Sequence, residues 1–587
     1  MLVGKTDGEE VEFPDDDAKV DMSIVDIEHM EYKQAAFSVE HPESTFITLE
    51  KALEYCGDNS TYSKRCLYVL SLLWLLNGFL ATGWPLYFDG NTLKCTDQSG
   101  DSYSCNTAQA CQLRSSQVEI LGHATITQEF GLICGKANWV PFFSTVYFLG
   151  MVMSGFIFPI WSDIRGRRIS LLFAIVCNGI SMLGLSLSPN VLALAALFGF
   201  AGFSQAAIEV VGIVYRSEIS GPNFRIHSMV FLTLFYGFSQ VVLGFLYTTI
   251  DYWRYIFAYI IAAPCLVCFI CAYIIFDESP SYLVSKHAFQ DAKKVLKRMA
   301  EVNKRRPFKF LLAKEIPIHN QKYFCIKKGK GIAKPVVSDS PSKQQKSELK
   351  GNKKFNFLFA SDHKMTTGLM MILWLTRFYA YFGLQFGVEE LGKSILLNFT
   401  ILGIAEVLAS ALSSPITKKY PRKYSMAVCL LICGLSCFLS KVFPYPTIMA
   451  IVSKFSISIY YNILLNYTTE IYPTEVRSQA TGFLMTVGRV SLLIMQWSFN
   501  LWYNYTGYLS YHLIGVITFL GGFAIYGLEE TFQKELDEVE EGGNQQRTSV
   551  KQKARCDRIS GTHELKRPLM YQDYGDGSLH RSSMYGK

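Results

Sequence analysis

Tyr215 to Arg225 reads YRSEISGPNFR, and Tyr467 to Arg477 reads YTTEIYPTEVR. Each stretch sets a Tyr, a Glu three residues on, an Ile next and an Arg ten after the Tyr, and the matching residues lie 252 positions apart. Both follow a long apolar run. A repeat at that distance, at the mouth of an apolar segment, predicts a duplicated membrane protein: two parallel six-helix halves related by an axis along the membrane normal.

The rest of the chain agrees. Half of its 587 residues are hydrophobic and only 18% are charged, against about 25% in an ordinary soluble protein. Apolar runs of about 20 residues recur, the length that crosses a hydrocarbon core. They predict helices near 66–88, 140–161, 169–188, 191–214, 228–250 and 255–276, then 366–386, 394–413, 424–443, 447–469, 480–502 and 507–528. The expected fold is an all-α membrane protein of twelve helices, six on each side of a polar segment at 277–365. The connection at Ser188–Asn190 is the shortest expected. A β-barrel is excluded, because its strands would be segments of about 10 residues with alternating pattern.

Charge places the loops. Segment 277–365 holds 21 Lys and Arg against 8 Asp and Glu, and positive loops stay in the cytoplasm. The loop 162–168 and both termini fall on that side as well. The first 60 residues are polar, with 14 acidic groups and three lysines among the first 50, and read as a largely disordered tail. Residues 529–587 form a second cytoplasmic tail. An amphipathic helix is expected near 287–303, with Ala288, Val295, Leu296, Met299 and Val302 on its apolar face, and a flexible basic linker follows it.

Cys95, Cys105, Cys111 and Cys134 lie in the loop 89–139, which the topology puts outside. Four cysteines in an oxidising compartment predict two disulfides, with three pairings open. Their spacings match no zinc pattern. Cys265, Cys268 and Cys271, and Cys429, Cys433 and Cys437, read as packing residues inside helices.

Trp161–Arg168 reads WSDIRGRR. A Gly turn there presents Asp163, Arg165, Arg167 and Arg168 at the cytoplasmic face, where they can pair with helix ends and lock a gate that breaks as the halves rock. Three arginines would also simply hold the loop inside. The corresponding stretch Lys418–Met426, KKYPRKYSM, keeps the charge but has no Asp or Gly. Glu218, Arg225, Glu470 and Arg477 of the duplicated elements are expected at the same gate. An unpaired carboxylate buried there would be costly.

The loop at 161–168 resembles the DRxGRR signature of the major facilitator superfamily. QEFGLIC (128–134) with Trp139, DYWR (251–254), ESPSYLVSK (278–286), YFGLQ (381–385), LNFTILGIAEVLA (397–409), PRKYSMA (421–427), EIYPTEVR (470–477) and GLEETFQKEL (527–536) follow in order. Together they resemble the organic cation, carnitine and organic anion transporter family over residues 60–540. The chain departs from that family in ESPSY where ESPRW is usual, in the long 277–365 segment and in the altered 418–423 loop.

An ionisable group deep in a membrane helix costs at least about 2.5 kcal/mol, so it usually faces a wet path or a partner. Glu209, Arg216, Arg377, Glu406, Lys454 and Arg489 are such groups. Arg489 lies twelve residues past Arg477, about 18 Å along a helix and near the bilayer centre. The resemblance implies that cation transporters of the family carry Asp at this position, and anion and carnitine transporters Arg. It likewise matches Glu406 to the cation and carnitine branches and Lys454 to the carnitine-like branch. A midplane guanidinium holds a carboxylate or sulfonate bidentately; the competing reading is an internal pair with Glu406 or Glu209. Tyr236, Trp374, Tyr381, Phe382 and Tyr461 offer aromatic faces to an ammonium group, and Gln240 and Gln385 offer polar contacts.

The expected function is transport of a small organic ion by alternating access. An organic anion or carnitine-like zwitterion is favoured over an organic cation, with Arg489 on the anionic group and Glu406 in the cationic or proton-coupled role. Expected partners are that substrate, the lipid bilayer, and a coupling ion (proton or sodium) or exchange substrate. No nucleic acid, metal or cofactor is expected, and no enzyme activity: the chain has no nucleotide-binding glycine motif and no HExxH. A sugar or neutral-solute porter and a non-transporting receptor of the same architecture are the rivals. The plasma membrane is the expected location.

Overall fold

The computed structural model describes residues 45–47, 49–57, 59–89, 93–96, 102–105, 110–112, 118–120, 124–305, 310–312, 359, 363–392, 394–440, 445–472, 477–506 and 510–531. Twelve long helices run through it: α1 Thr61–Thr82, α2 Trp139–Arg165, α3 Arg167–Leu187, α4 Val191–Ile219, α5 Pro222–Thr249 and α6 Trp253–Ile275, then α7 Lys364–Phe386, α8 Ile395–Lys419, α9 Arg422–Leu439, α10 Pro446–Ile471, α11 Arg477–Thr506 and α12 Ser510–Gly527. Among the described residues, eleven helices are long and apolar enough to cross a membrane. The twelfth is α7, whose 23 residues carry Arg377, Tyr379, Tyr381 and Gln385.

Packing repeats between the halves. α2 and α3 lie on α4 as α8 and α9 lie on α10, and α1 lies on α5 as α7 lies on α11. Across the halves, α5 meets α8 and α2 meets α11. Small residues set the spacing within a half. A Cβ at Gly150 of α2 would strike the backbone of Gly199, and one at Gly202 of α4 would strike the Tyr147 carbonyl. The two helices approach to backbone contact, as membrane helices do where small residues face one another.

The structure shortens the expected loop at 162–168 to Gly166 alone, so the connection at Ser188–Asn190 is not the shortest. Gly166 turns at φ +104°, a region that a side chain rarely enters. Glu278 then receives the first free amides of α3: Arg167 N donates to its Oε1 at 2.8 Å and Arg168 N at 3.2 Å. The loop residues expected at a gate therefore sit on helix ends.

The segment read as a tail is ordered from Thr45. Strand β1 (Thr45–Ile47) pairs in parallel with β5 (Phe310–Leu312). Helix Leu49–Gly57 buries Ala52, Leu53 and Cys56 against the amphipathic helix Phe289–Val302, whose buried residues are Ala292, Leu296, Met299 and Ala300. Val295 and Val302 pack at its margin. Residues 1–44, most of the basic linker and the chain beyond 531 lie outside the described residues. On the opposite side, β2 (Leu93–Thr96) pairs antiparallel with β3 (Ser102–Cys105) and with β4 (Val118–Ile120). Cys111 is bonded to Cys134. Cys95 is also disulfide-bonded, and the Cys105 side chain lies outside the described residues. Cys265, Cys268, Cys271, Cys429, Cys433 and Cys437 are free thiols.

Candidate transport site and gates

A small cavity of about 40 Å³ lies between the two halves. Its wall brings together Glu209, Arg377, Glu406 and Arg489 with Trp74, Tyr236, Phe378, Tyr381, Phe382 and Tyr461. Met151, Thr233, Ser410, Ser458, Asn462 and Met485 complete it. Six predicted contacts therefore line one space: Arg489, Glu406, Tyr236, Tyr381, Phe382 and Tyr461.

Four others do not line it. Trp374 is buried and its Nε1 donates to Thr468 Oγ1 at 3.2 Å. Gln240 Nε2 donates to the Phe399 carbonyl at 2.7 Å, tying α5 to α8. Gln385 Nε2 donates to the Thr82 carbonyl at 2.9 Å, and its Oε1 accepts from Lys454 Nζ at 3.2 Å. Lys454, fully buried, stands behind the wall and pairs with Glu406 Oε2 at 3.2 Å. At these four positions, residue type and depth suggested contacts that packing assigns elsewhere.

The cavity charges are mostly matched. Arg489 Nη2 donates to Glu209 Oε2, so α11 of one half holds α4 of the other. Its Nε and Nη1 have no hydrogen-bond partner. Glu406 accepts from Tyr381 Oη at 2.6 and 2.8 Å as well as from Lys454. Arg377 has neighbours of another kind: its guanidinium carbon lies 3.8 Å from the Tyr461 ring centroid, 4.5 Å from Phe378 and 4.6 Å from Tyr381. Sequence reasoning listed Arg377 as ionisable but gave it no role, because depth along α7 does not say which side chain faces inward.

At the helix ends beside Gly166 and Pro421, charges expected at the gate form two matching clusters. Arg167 Nη1 donates to Asp163 Oδ1 at 2.5 Å, and its Nη2 pairs with Glu218 at 3.3 Å. Arg422 Nη2 pairs with Glu470 at 3.0 Å. Glu530 accepts from the amides of Arg422 at 2.9 Å and Lys423 at 3.0 Å, as Glu278 does for Arg167 and Arg168. Tyr215 Oη donates to the Asp277 carbonyl and Tyr467 Oη to the Glu529 carbonyl, at 2.9 and 2.6 Å. Glu278 and Glu530 lie 252 residues apart, like Glu218 and Glu470. The charge that stands for Arg167 in the second half is thus Arg422, despite the missing Asp and Gly.

The remaining gate candidates go elsewhere. Arg225 caps its own turn, donating to the carbonyls of Ser217 and Ser220, and reaches Glu50 at 3.9 Å. Arg168 Nη2 donates to the Tyr273 carbonyl at 2.8 Å. Arg165 is exposed. Arg477 opens α11, and its side chain lies outside the described residues. Gln479 Nε2 reaches Asp163 Oδ2 at 3.3 Å, joining the halves on this side. On the side of the cysteine loop, Ser144 donates to Gln496 at 2.5 Å and Trp497 Nε1 to Thr145 at 3.0 Å. Trp84 stacks on Phe386 there.

The model of the Major Facilitator Superfamily matches residues 120–494 and 365–569. Human organic cation/carnitine transporter 2 is 26% identical to this chain over 420 residues, 70% of each. Pig organic anion transporter 3 is 24% identical over 435 residues, 72% of this chain and 74% of that one. These relatives agree with the family that the ordered motifs resemble. The E. coli xylose transporter XylE, in a partially occluded inward-open conformation, matches at 16% identity with a TM-score of 0.55, over 81% of this chain and all of that one. That likeness concerns the fold.

Proposed function

The chain belongs to the Major Facilitator Superfamily, and on that premise we propose that it moves small organic ions by alternating access, an organic anion or carnitine-like zwitterion being favoured. The observation that carries the reading is the cavity itself. Four ionisable side chains and a ring of aromatics from both halves face one space at mid-helix depth. Two arginines on its wall supply donors for a carboxylate or sulfonate. Aromatic faces receive an apolar body or an ammonium group. A sugar site would have little use for two buried ion pairs, whose formation strips four groups of water.

The same geometry supports a gate. Rocking one half against the other requires ties on one side to open while those on the other form. The clusters at Arg167 and Arg422 brace each half's cytoplasmic ends, and Asp163–Gln479 is the contact that inward opening would break. A coupling ion (proton or sodium) or an exchanged substrate supplies the driving force. The plasma membrane, with both termini cytoplasmic, fits the disulfide-bonded loop on one side and the basic segment on the other. Saturable uptake of a labelled organic ion into proteoliposomes, accelerated by unlabelled substrate on the far side, is the expected result. Correctly inserted protein without saturable uptake of carnitine, an aromatic carboxylate or a quaternary ammonium would return the chain to the receptor reading.

A further inference from the structure

We infer that Arg377 is the charge-selecting residue of the cavity and that the preferred substrate carries a net charge of −1, as an aromatic or otherwise apolar monocarboxylate or monosulfonate. The inference deepens the proposed function and rests on it. Five charged groups belong to the cavity and its backing: Arg377, Arg489 and Lys454 against Glu209 and Glu406. Arg489 is matched by Glu209, and Lys454 by Glu406. Among the described residues Arg377 forms no ion pair, so one positive charge is left over and sits on it.

The setting of that charge is specific. Arg377 is 6% exposed and lines the cavity. Three ring faces surround its guanidinium, and Nε has no hydrogen-bond partner. Ring quadrupoles steady a cation, but they offer no lone pairs to its N–H groups. A carboxylate in the plane of the guanidinium takes two parallel hydrogen bonds, which a lysine ammonium cannot reproduce. Phe382, Met151 and Met485 form apolar wall for the remainder of the molecule. A zwitterion would bring an extra cation to a space whose two carboxylates are already taken. A net monoanion neutralises the site, and neither ion pair has to open.

The test uses the purified full chain in proteoliposomes, with labelled phenylacetate, carnitine and tetraethylammonium offered separately. Phenylacetate is expected to be the best substrate of the wild type. Losing one partner of a desolvated charge contact corresponds to a fall of at least about 30-fold in uptake efficiency, expected for Arg377→Gln. Arg377→Lys should keep part of it, through charge without bidentate geometry. Arg377→Glu reverses the leftover charge and should gain tetraethylammonium uptake, an outcome that misfolding cannot produce. Phenylacetate uptake by Arg377→Gln within threefold of wild type overturns the inference, as does wild-type preference for tetraethylammonium or for carnitine. If the wild type transports none of the three, the transport reading fails, and ligand binding then decides. Phenylacetate raising the unfolding midpoint of wild type but not of Arg377→Gln upholds the assignment; equal shifts, or none, overturn it.

Discussion

Replacing Glu209 by Gln should destabilise this protein more than replacing Arg489, and replacing both should cost less than either. The pair joins α4 to α11 and so ties one half to the other. The Arg489 side chain is wholly enclosed, while that of Glu209 keeps 13% of its surface open. Breaking a buried ion pair from one side costs roughly 3–5 kcal/mol, because the surviving charge has no counter-ion. For Glu209→Gln the survivor is a guanidinium whose Nε and Nη1 already lack partners, which points to the upper end of that range. For Arg489→Gln the survivor borders the cavity and can draw water to itself, which points to the lower end. Glu209→Gln/Arg489→Gln removes both charges and leaves two amides able to bond to each other. Exchanging a buried pair for neutral groups is often close to neutral, so a cost of about 1 kcal/mol is expected. Denaturant unfolding of the four proteins in one defined lipid–detergent mixture gives the cycle, and contacting residues should show a coupling of at least about 2 kcal/mol. Either single variant within about 1 kcal/mol of wild type, or a double variant as unstable as the sum of the singles, would refute the reasoning.

Glu278→Gln and Glu530→Gln should act alike, each removing a charged cap from a helix start at a cost of about 1 kcal/mol and slowing transport. A large effect from one and none from the other, in uptake rate and in melting, would deny the equivalence of the two clusters. Cys111→Ser/Cys134→Ser opens a cross-link between residues 23 apart in sequence, worth about 3 kcal/mol in chain entropy. Faster amide exchange at 126–136, with the rest of the body unchanged, is the expected sign. On the same side, partial burial raises the affinity of Glu129 for a proton, but hydrogen bonds from Arg254 and Trp253 more than offset it and hold the carboxyl below its ordinary value. A carboxyl lowered by folding gives stability that is full above the ordinary value, near about 4.3, and is lost as pH falls through the lowered one. Thermal scans between pH 3 and 7 should therefore show an acid-side loss in wild type that Glu129→Gln lacks.

The fold was legible because a membrane span declares itself by length. Runs of about 20 apolar residues leave little freedom, and the repeat at Tyr215 and Tyr467 supplied the symmetry. The helix α7, expected at 366–386, is instructive: the cavity residues Arg377 and Tyr381 lower its apolarity, so the helix that gives most to the cavity wall is the one that looks least like a span. The charges expected at the gate were legible in residue type and partly in pairing: Glu218 and Glu470 each meet an arginine of the adjoining turn, Arg167 and Arg422. Glu278 and Glu530, which organise both clusters, sit in motifs that read only as family resemblance. The spacing of 252 between them was the signal available. Partners inside the bilayer were legible only as alternatives: the pair of Arg489 with Glu209 was one of them, whereas whether Lys454 faces the cavity or Glu406 depends on a helix rotation of a few tens of degrees.

The repeat also explains why the centre differs from the rim. At the helix ends around Gly166 and Pro421, residues 252 apart do the same work: Glu218 with Glu470, Glu278 with Glu530, Tyr215 with Tyr467. Carried inward at the same spacing, Glu209 corresponds to Tyr461 and Thr233 to Met485, and all four line the cavity. The register of the duplication survives there while the chemistry does not. A rim must brace two halves that rock in the same way, so equal parts serve both. A binding site must hold one asymmetric molecule, and a two-fold-symmetric set of charges would present it with duplicate, competing contacts. Glu209 facing Tyr461 breaks that degeneracy. The carboxylate is taken up by Arg489, the phenol ring lies against Arg377, and on the inference drawn above the leftover positive charge gives the cavity a direction for its substrate.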